Sequence, residues 1–60
     1  MILLNELLQV IEDETAISII YHQKEYHKYN LPVEWMELEV VNVDLNKLYN
    51  TINIYVKEVR

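Results

Sequence analysis

Hydrophobic positions along the chain change their period once, near Thr15. Before it, Leu4, Leu7, Leu8 and Ile11 recur at helical spacing, with Leu3 and Val10 widening the stripe and Asn5, Glu6 and Gln9 on the other side. This spacing predicts an amphipathic helix over residues 2–11. Ten residues are marginal as an isolated helix, so it must dock on something. The acidic run Glu12-Asp13-Glu14 follows, where negative charge opposes the helix dipole and helps to end it.

After Thr15 the period is two. Ile17, Ile19 and Tyr21 take one face, and Ser18, Ile20 and His22 the other, predicting a strand over 15–22. Gln23-Lys24-Glu25 reads as a turn and Tyr26–Asn30 as a short returning strand. Pro32 suits the first position of a helical turn over 31–36, which brings Trp35 and Met36 over one end of the core. In the next strand, 38–44, Leu38 and Val40 share one face but Val41 and Val43 share the other. A bulge near Val40-Val41 restores a single core face. Asp44 is then expected to cap a helical turn holding Leu45, Leu48 and Tyr49. Ile52, Ile54 and Val56 alternate cleanly in a last strand, 51–59. Val43 opposite Ile52 and Val41 opposite Ile54 is the antiparallel register that puts all four on one face. The expected fold is α+β: one small domain, residues 1–60, with the N-terminal helix packed on an antiparallel sheet of three to four strands, in the order α-β-β-short helix-β-β.

Composition narrows the chemistry. The chain has no cysteine, so it can form neither a disulfide nor a zinc thiolate site. It has no glycine, which removes Gly-rich phosphate loops and the nucleophile elbow. Hydrophobic residues make up 52% and charged residues 25%, a globular rather than a disordered balance. Ten acidic residues against five scattered basic ones give a net charge of -5, which argues against direct nucleic-acid binding. Glu6 interrupts the apolar start, no basic segment precedes it, and no apolar run reaches the roughly 20 residues of a membrane span, so a cytoplasmic location is expected.

The candidate chemical groups are few. His22 and His27 would need further ligands to hold a metal, and Glu25 is the one near candidate. Two solvated side chains at a hairpin is the simpler reading. Glu12, Asp13 and Glu14, with Glu37 and Glu39, are the acids a metal-dependent nuclease would draw on. A chain this small has little room for the pocket such a site needs. Ser18, Thr15 and Thr51 lack an adjacent base or a glycine-built oxyanion hole. No catalytic residue, metal or cofactor is therefore expected.

The aromatic residues say more. Tyr21, Tyr26, Tyr29, Tyr49, Tyr55 and Trp35 are more than one thin core can bury, and such side chains are enriched where proteins bind one another. Tyr21, Tyr26, Tyr29 and Trp35, with the acidic Glu12, Asp13 and Glu14, are the expected partner contacts. Ile20, Val40 and Tyr55 would line the uncovered sheet face and join two copies in a two-fold dimer, because a core of this size is marginal alone.

The segments Asn5-Glu6-Leu7-Leu8-Gln9-Val10-Ile11-Glu12-Asp13, Thr15-Ala16-Ile17-Ser18-Ile19 and Ile52-Asn53-Ile54-Tyr55-Val56 give the chain its vocabulary. In them it resembles small acidic proteins encoded by phages and prophages of low-GC Firmicutes, some of which look like anti-CRISPR or other inhibitors of host defence. The resemblance implies a binding protein with no catalytic residues. The expected function is thus a non-catalytic protein-binding module, phage-encoded, that inhibits or modulates a host protein with a basic, nucleic-acid-binding surface. A small metal-dependent nucleic-acid-processing or nucleic-acid-binding protein, and a structural or assembly subunit, are the alternatives.

Overall fold

A computed structural model describes residues 1–12 and 14–59, and Asp13 lies outside them. One short helix, α1 (Leu4–Leu8), precedes four strands: β1 (Ala16–Tyr21), β2 (Lys24–His27), β3 (Glu39–Asn46) and β4 (Thr51–Lys57). Two 3-10 turns, Lys28–Asn30 and Val33–Glu37, lie between β2 and β3. The fold is α+β, in the order the hydrophobic spacing predicts.

The helix is shorter than its stripe suggests: residues 9–10 form a turn rather than a continuing helix. Its start is held by half of a capping box. The Glu6 carboxylate reaches back to accept the Leu3 N–H at 2.8 Å, but the Leu3 side chain offers no acceptor in return. No basic residue lies in its last turn to complement the dipole.

The sheet is mixed, not antiparallel throughout: its order is β2-β1-β4-β3, and β1 runs parallel to β4. Parallel neighbours need a crossover, and residues 28–38 supply it. They carry the chain from the β2 edge across one face of the sheet to the opposite edge. Composition explains which strands take the centre. β1 and β4 carry the densest apolar alternation, Ile17-Ile19 and Ile52-Ile54-Val56, and are buried between neighbours. β2, with Lys24, Glu25 and His27, and β3, with Asn42 and Asp44, keep one edge toward solvent.

Cross-strand partners share a face, so the register sorts the side chains. Ile17 pairs with Ile52 and Ile19 with Ile54, while Ile19 also pairs with Tyr26. Leu4, Ile17, Ile19, Trp35, Ile54 and Val56 form the buried core. Leu7, Leu8, Ile11, Leu31, Leu38 and Val40 pack against it from α1 and the segment after it, the crossover and the start of β3. The helix therefore covers the sheet jointly with the second 3-10 turn, not alone.

In β3 the ladder shifts between Val40 and Asn42, where the broken alternation places a bulge. The register beyond it differs from expectation. Val43 pairs with Ile54 and Leu45 with Ile52, two positions away from a pairing of Val43 with Ile52 and Val41 with Ile54. The reason is the end of the strand. Asp44 caps no helix; it and Leu45 stay in β3, which runs on to Asn46. The Asn46 Oδ1 accepts the N–H groups of Leu48 and Tyr49 at 3.1 and 3.3 Å, so the capping falls two residues later and the connection shrinks to a four-residue turn, 47–50. Asn50 closes that turn at φ 52°.

The first hairpin is tighter than predicted. His22 and Gln23, at φ 51° and 68°, form a two-residue loop between the paired Tyr21 and Lys24. Lys24 and Glu25 belong to β2, not to the turn.

Candidate interaction surface

Tyr21, Tyr26 and Trp35 form one cluster at the hairpin end of the sheet. Trp35 is buried, and the rings of Tyr21 and Tyr26 meet it nearly edge-on, at 5.0 Å and 75° and at 4.6 Å and 63°. Each such contact contributes about 0.5–1.5 kcal/mol beyond the area it buries. Of the expected contact residues, Trp35 is thus a core side chain, and Tyr21 and Tyr26 are half-buried against it. Tyr29 is exposed, with the Lys28 ammonium 5.1 Å from its ring centre. Glu12 and Glu14 are exposed in the α1–β1 connection.

A polar clasp sits beside this cluster. The Glu58 carboxylate, just past β4, accepts the Tyr21 hydroxyl at 2.6 Å and meets His22 Nε2 at 2.7 Å. Those two bonds, the His22 one foremost, hold the Glu58 carboxyl down to about 2. The Tyr21–Glu58 hydrogen bond raises the Tyr21 phenol above its usual value, because only the protonated hydroxyl can donate it. The clasp ties the end of β4 to the β1–β2 loop. Glu58 attracts no notice in the sequence, since 36 residues separate it from His22.

The structure does not bring together the groups that metal or hydrolytic chemistry would need. His22 is in the loop and His27 at the far end of β2, opposite Ser18. Among the described residues no group of three or more His, Cys, Asp or Glu side chains could hold a metal ion. Glu39 stands opposite Lys57, with its carboxylate 3.9 Å from the ammonium. Ser18, flanked in register by His27 and Asn53, is buried at 6% exposure, on the sheet face opposite the Ile17 and Ile19 core side chains. Among the described residues no helix is long and apolar enough to cross a membrane.

That uncovered face is more polar than the alternation suggests. Ile20 and Tyr55 are neighbours on it, each half-buried, but Asn42, Asp44, Asn53 and Lys57 surround them. Val40 is not part of it. The bulge sets Val40 opposite Val56 on the covered face, where it packs against the core.

An exposed apolar strip lies elsewhere. Val43 and Leu45 point the same way as the fully buried Ile54 and Ile52's side of the sheet, yet they are 51% and 54% exposed. Neither α1 nor the crossover extends over them. Val41 precedes them, and Leu48 and Tyr49, 81% and 72% exposed, follow in the turn. Leu45, Tyr49 and Ile52 also wall a shallow depression completed by Glu14, Thr15, Ala16 and Asn50. Sequence reasoning misses this strip because Leu45, Leu48 and Tyr49 there look like one face of a helical turn. A strand reaching Asn46 instead continues the Val43-Leu45 alternation along an edge.

No family model, no curated protein and no solved structure matches the chain.

Proposed function

We propose that the chain is a non-catalytic protein-binding module whose contact surface is the β3 edge and the turn after it. One observation carries this reading: Val43 and Leu45 face the covered side of the sheet, on the same side as the buried Ile54, yet remain about half exposed. Exposed apolar strips flanked by polar residues mark association surfaces. Aromatic and aliphatic side chains at such a site supply most of the binding energy, and Leu48 and Tyr49 extend it. An inhibitor of a host nucleic-acid-binding protein is one member of this class, and the net charge of -5 suits a basic partner.

The test is a photo-cross-linking side chain placed at Leu48 in the chain expressed in bacteria. The same side chain at the exposed Glu34, in the second 3-10 turn, is the control. Protein adducts from position 48 and few from position 34 support the reading. Equal yields, or none at 48, overturn it. So does Mg²⁺-dependent nicking of plasmid DNA by the purified chain that disappears in Glu14→Ala.

A further inference from the structure

We infer that the β3 strip is occupied by a second copy of this chain, through two-fold antiparallel pairing of β3 with β3 centred on Val43. This rests on the binding reading above and names its partner. The two sheet edges are not alike. The β2 edge is four residues long and carries Lys24, Glu25 and His27, all exposed, the usual means of blunting an edge. The β3 edge is protected at its start by the chain itself: the Val40 N–H donates to the Ile2 carbonyl and the Leu4 N–H to the Leu38 carbonyl, each at 2.8 Å. A bridge of Leu3 with Glu39 lies between them. That protection stops at the bulge. From Asn42 to Asn46 the ladder with β4 is regular, and nothing among the described residues pairs the outer side. Unpaired strand backbone beside exposed apolar side chains is a template for another strand.

The segment is self-complementary when centred on Val43. A two-fold axis normal to the sheet keeps each side chain on its own face, so partner numbers must add to an even total. Centring on Asp44 would place two carboxylates directly opposite, which is destabilising. Centring on Val43 places Val43 against its own copy, Val41 against Leu45, and Asn42 against Asp44, with no like charges opposed. It also confines the pairing to residues 41–45, just clear of the edge that Ile2–Leu4 occupies.

Because the chain has no cysteine, a single introduced one can cross-link only to its own copy. Under mild oxidation Val43→Cys should form a covalent dimer rapidly, and Asp44→Cys much more slowly. Light scattering should give twice the 7.3 kDa chain mass for the native protein. Val43→Lys, an inward-facing edge charge, should weaken the dimer about tenfold or more. Val33→Lys, an equal change on the second 3-10 turn, should leave it intact. Two copies of charge -5 repel, so association should tighten with added salt, opposite to the behaviour of a basic partner. A monomer at about 100 μM with native circular dichroism overturns the inference, as does faster cross-linking at Asp44→Cys. A monomer that still gives foreign adducts from position 48 sinks the self-pairing alone; a monomer without adducts sinks the binding reading too.

Discussion

A protein without glycine must place other residues where the backbone turns left-handed, and this makes the β1–β2 loop a sharp test of the fold. His22 and Gln23 both have positive φ, as a type I′ hairpin turn requires. A side chain with a Cβ in that region costs about 1–2 kcal/mol. Gln23 is exposed, so replacing it removes little packing. Gln23→Gly should relieve the steric cost but add about 0.4–1 kcal/mol of unfolded-chain entropy, leaving a net gain of about 0.5–1 kcal/mol. For a domain of this size that is a rise in melting temperature of roughly 2–8 °C. Asn50, also at positive φ, should respond less to Asn50→Gly, because asparagine already tolerates this conformation. Asn53→Gly, within β4, should lower stability instead. Thermal unfolding followed by circular dichroism at one protein concentration gives all three. A melting temperature for Gln23→Gly at or below that of the native chain would refute the assigned turn, and so would a larger gain at Asn50→Gly.

Three further outcomes follow from individual contacts. Leu4 is the one buried residue of α1, and Leu4→Ala should cost about 2–5 kcal/mol, comparable with the whole margin of so small a core; loss of a cooperative thermal transition is the expected readout. Glu58 has its carboxyl lowered from 4.5 to about 2, so the clasp contributes stability that is fully present above pH 4.5 and is lost as pH falls toward 2. The raised Tyr21 phenol gives the opposite limb, with stability present below pH 10.0 and lost above it. Glu58→Gln should flatten both limbs and return the Tyr21 titration, followed by ultraviolet absorbance, to about the ordinary phenol value. Asn46→Ala removes the acceptor for the Leu48 and Tyr49 N–H groups and should cost about 0.5–1 kcal/mol, whereas Asn46→Asp, which keeps an acceptor, should cost less by chemical denaturation.

How much of this was legible before the structure depends on range. Alternation within β1 and β4 names Ile17, Ile19, Ile54 and Val56 as core, and the mismatch at Val40-Val41 marks the bulge, because side-chain period is a local property. Strand order is not. Nothing in residues 16–21 or 51–57 states that they run side by side in parallel; that follows from a crossover whose path is set by Trp35, Leu31 and Leu38 packing onto the sheet. The mistaken helical turn at Asp44 had a local cause, since Leu45, Leu48 and Tyr49 fit a helical face as well as they fit a strand end and a turn. That one ambiguity displaced the β3 register and hid the exposed strip. The clasp of Glu58 with Tyr21 and His22 was out of reach for the same reason as the strand order, being a contact between distant parts of the chain.

Association and folding are linked in a molecule of this build. Among the described residues six apolar side chains form its buried core, while Val41, Val43, Leu45, Leu48 and Tyr49 remain exposed along β3 and the turn after it. Fully burying a side chain of this kind contributes about 1.5–3 kcal/mol, so half-exposed Val43 and Leu45 together hold about 1.5–3 kcal/mol, roughly half of the ~3–5 kcal/mol expected of the isolated fold. A partner that covers them therefore stabilises the folded state by mass action. If that partner is a second copy, the melting temperature must rise with protein concentration, and Val43→Lys must remove the dependence while Val33→Lys keeps it. The same substitution should barely change the melting temperature at the lowest concentrations, where the native chain is itself monomeric. A concentration-independent transition in the native protein would separate folding from association and leave the strip without a role in the chain's own stability.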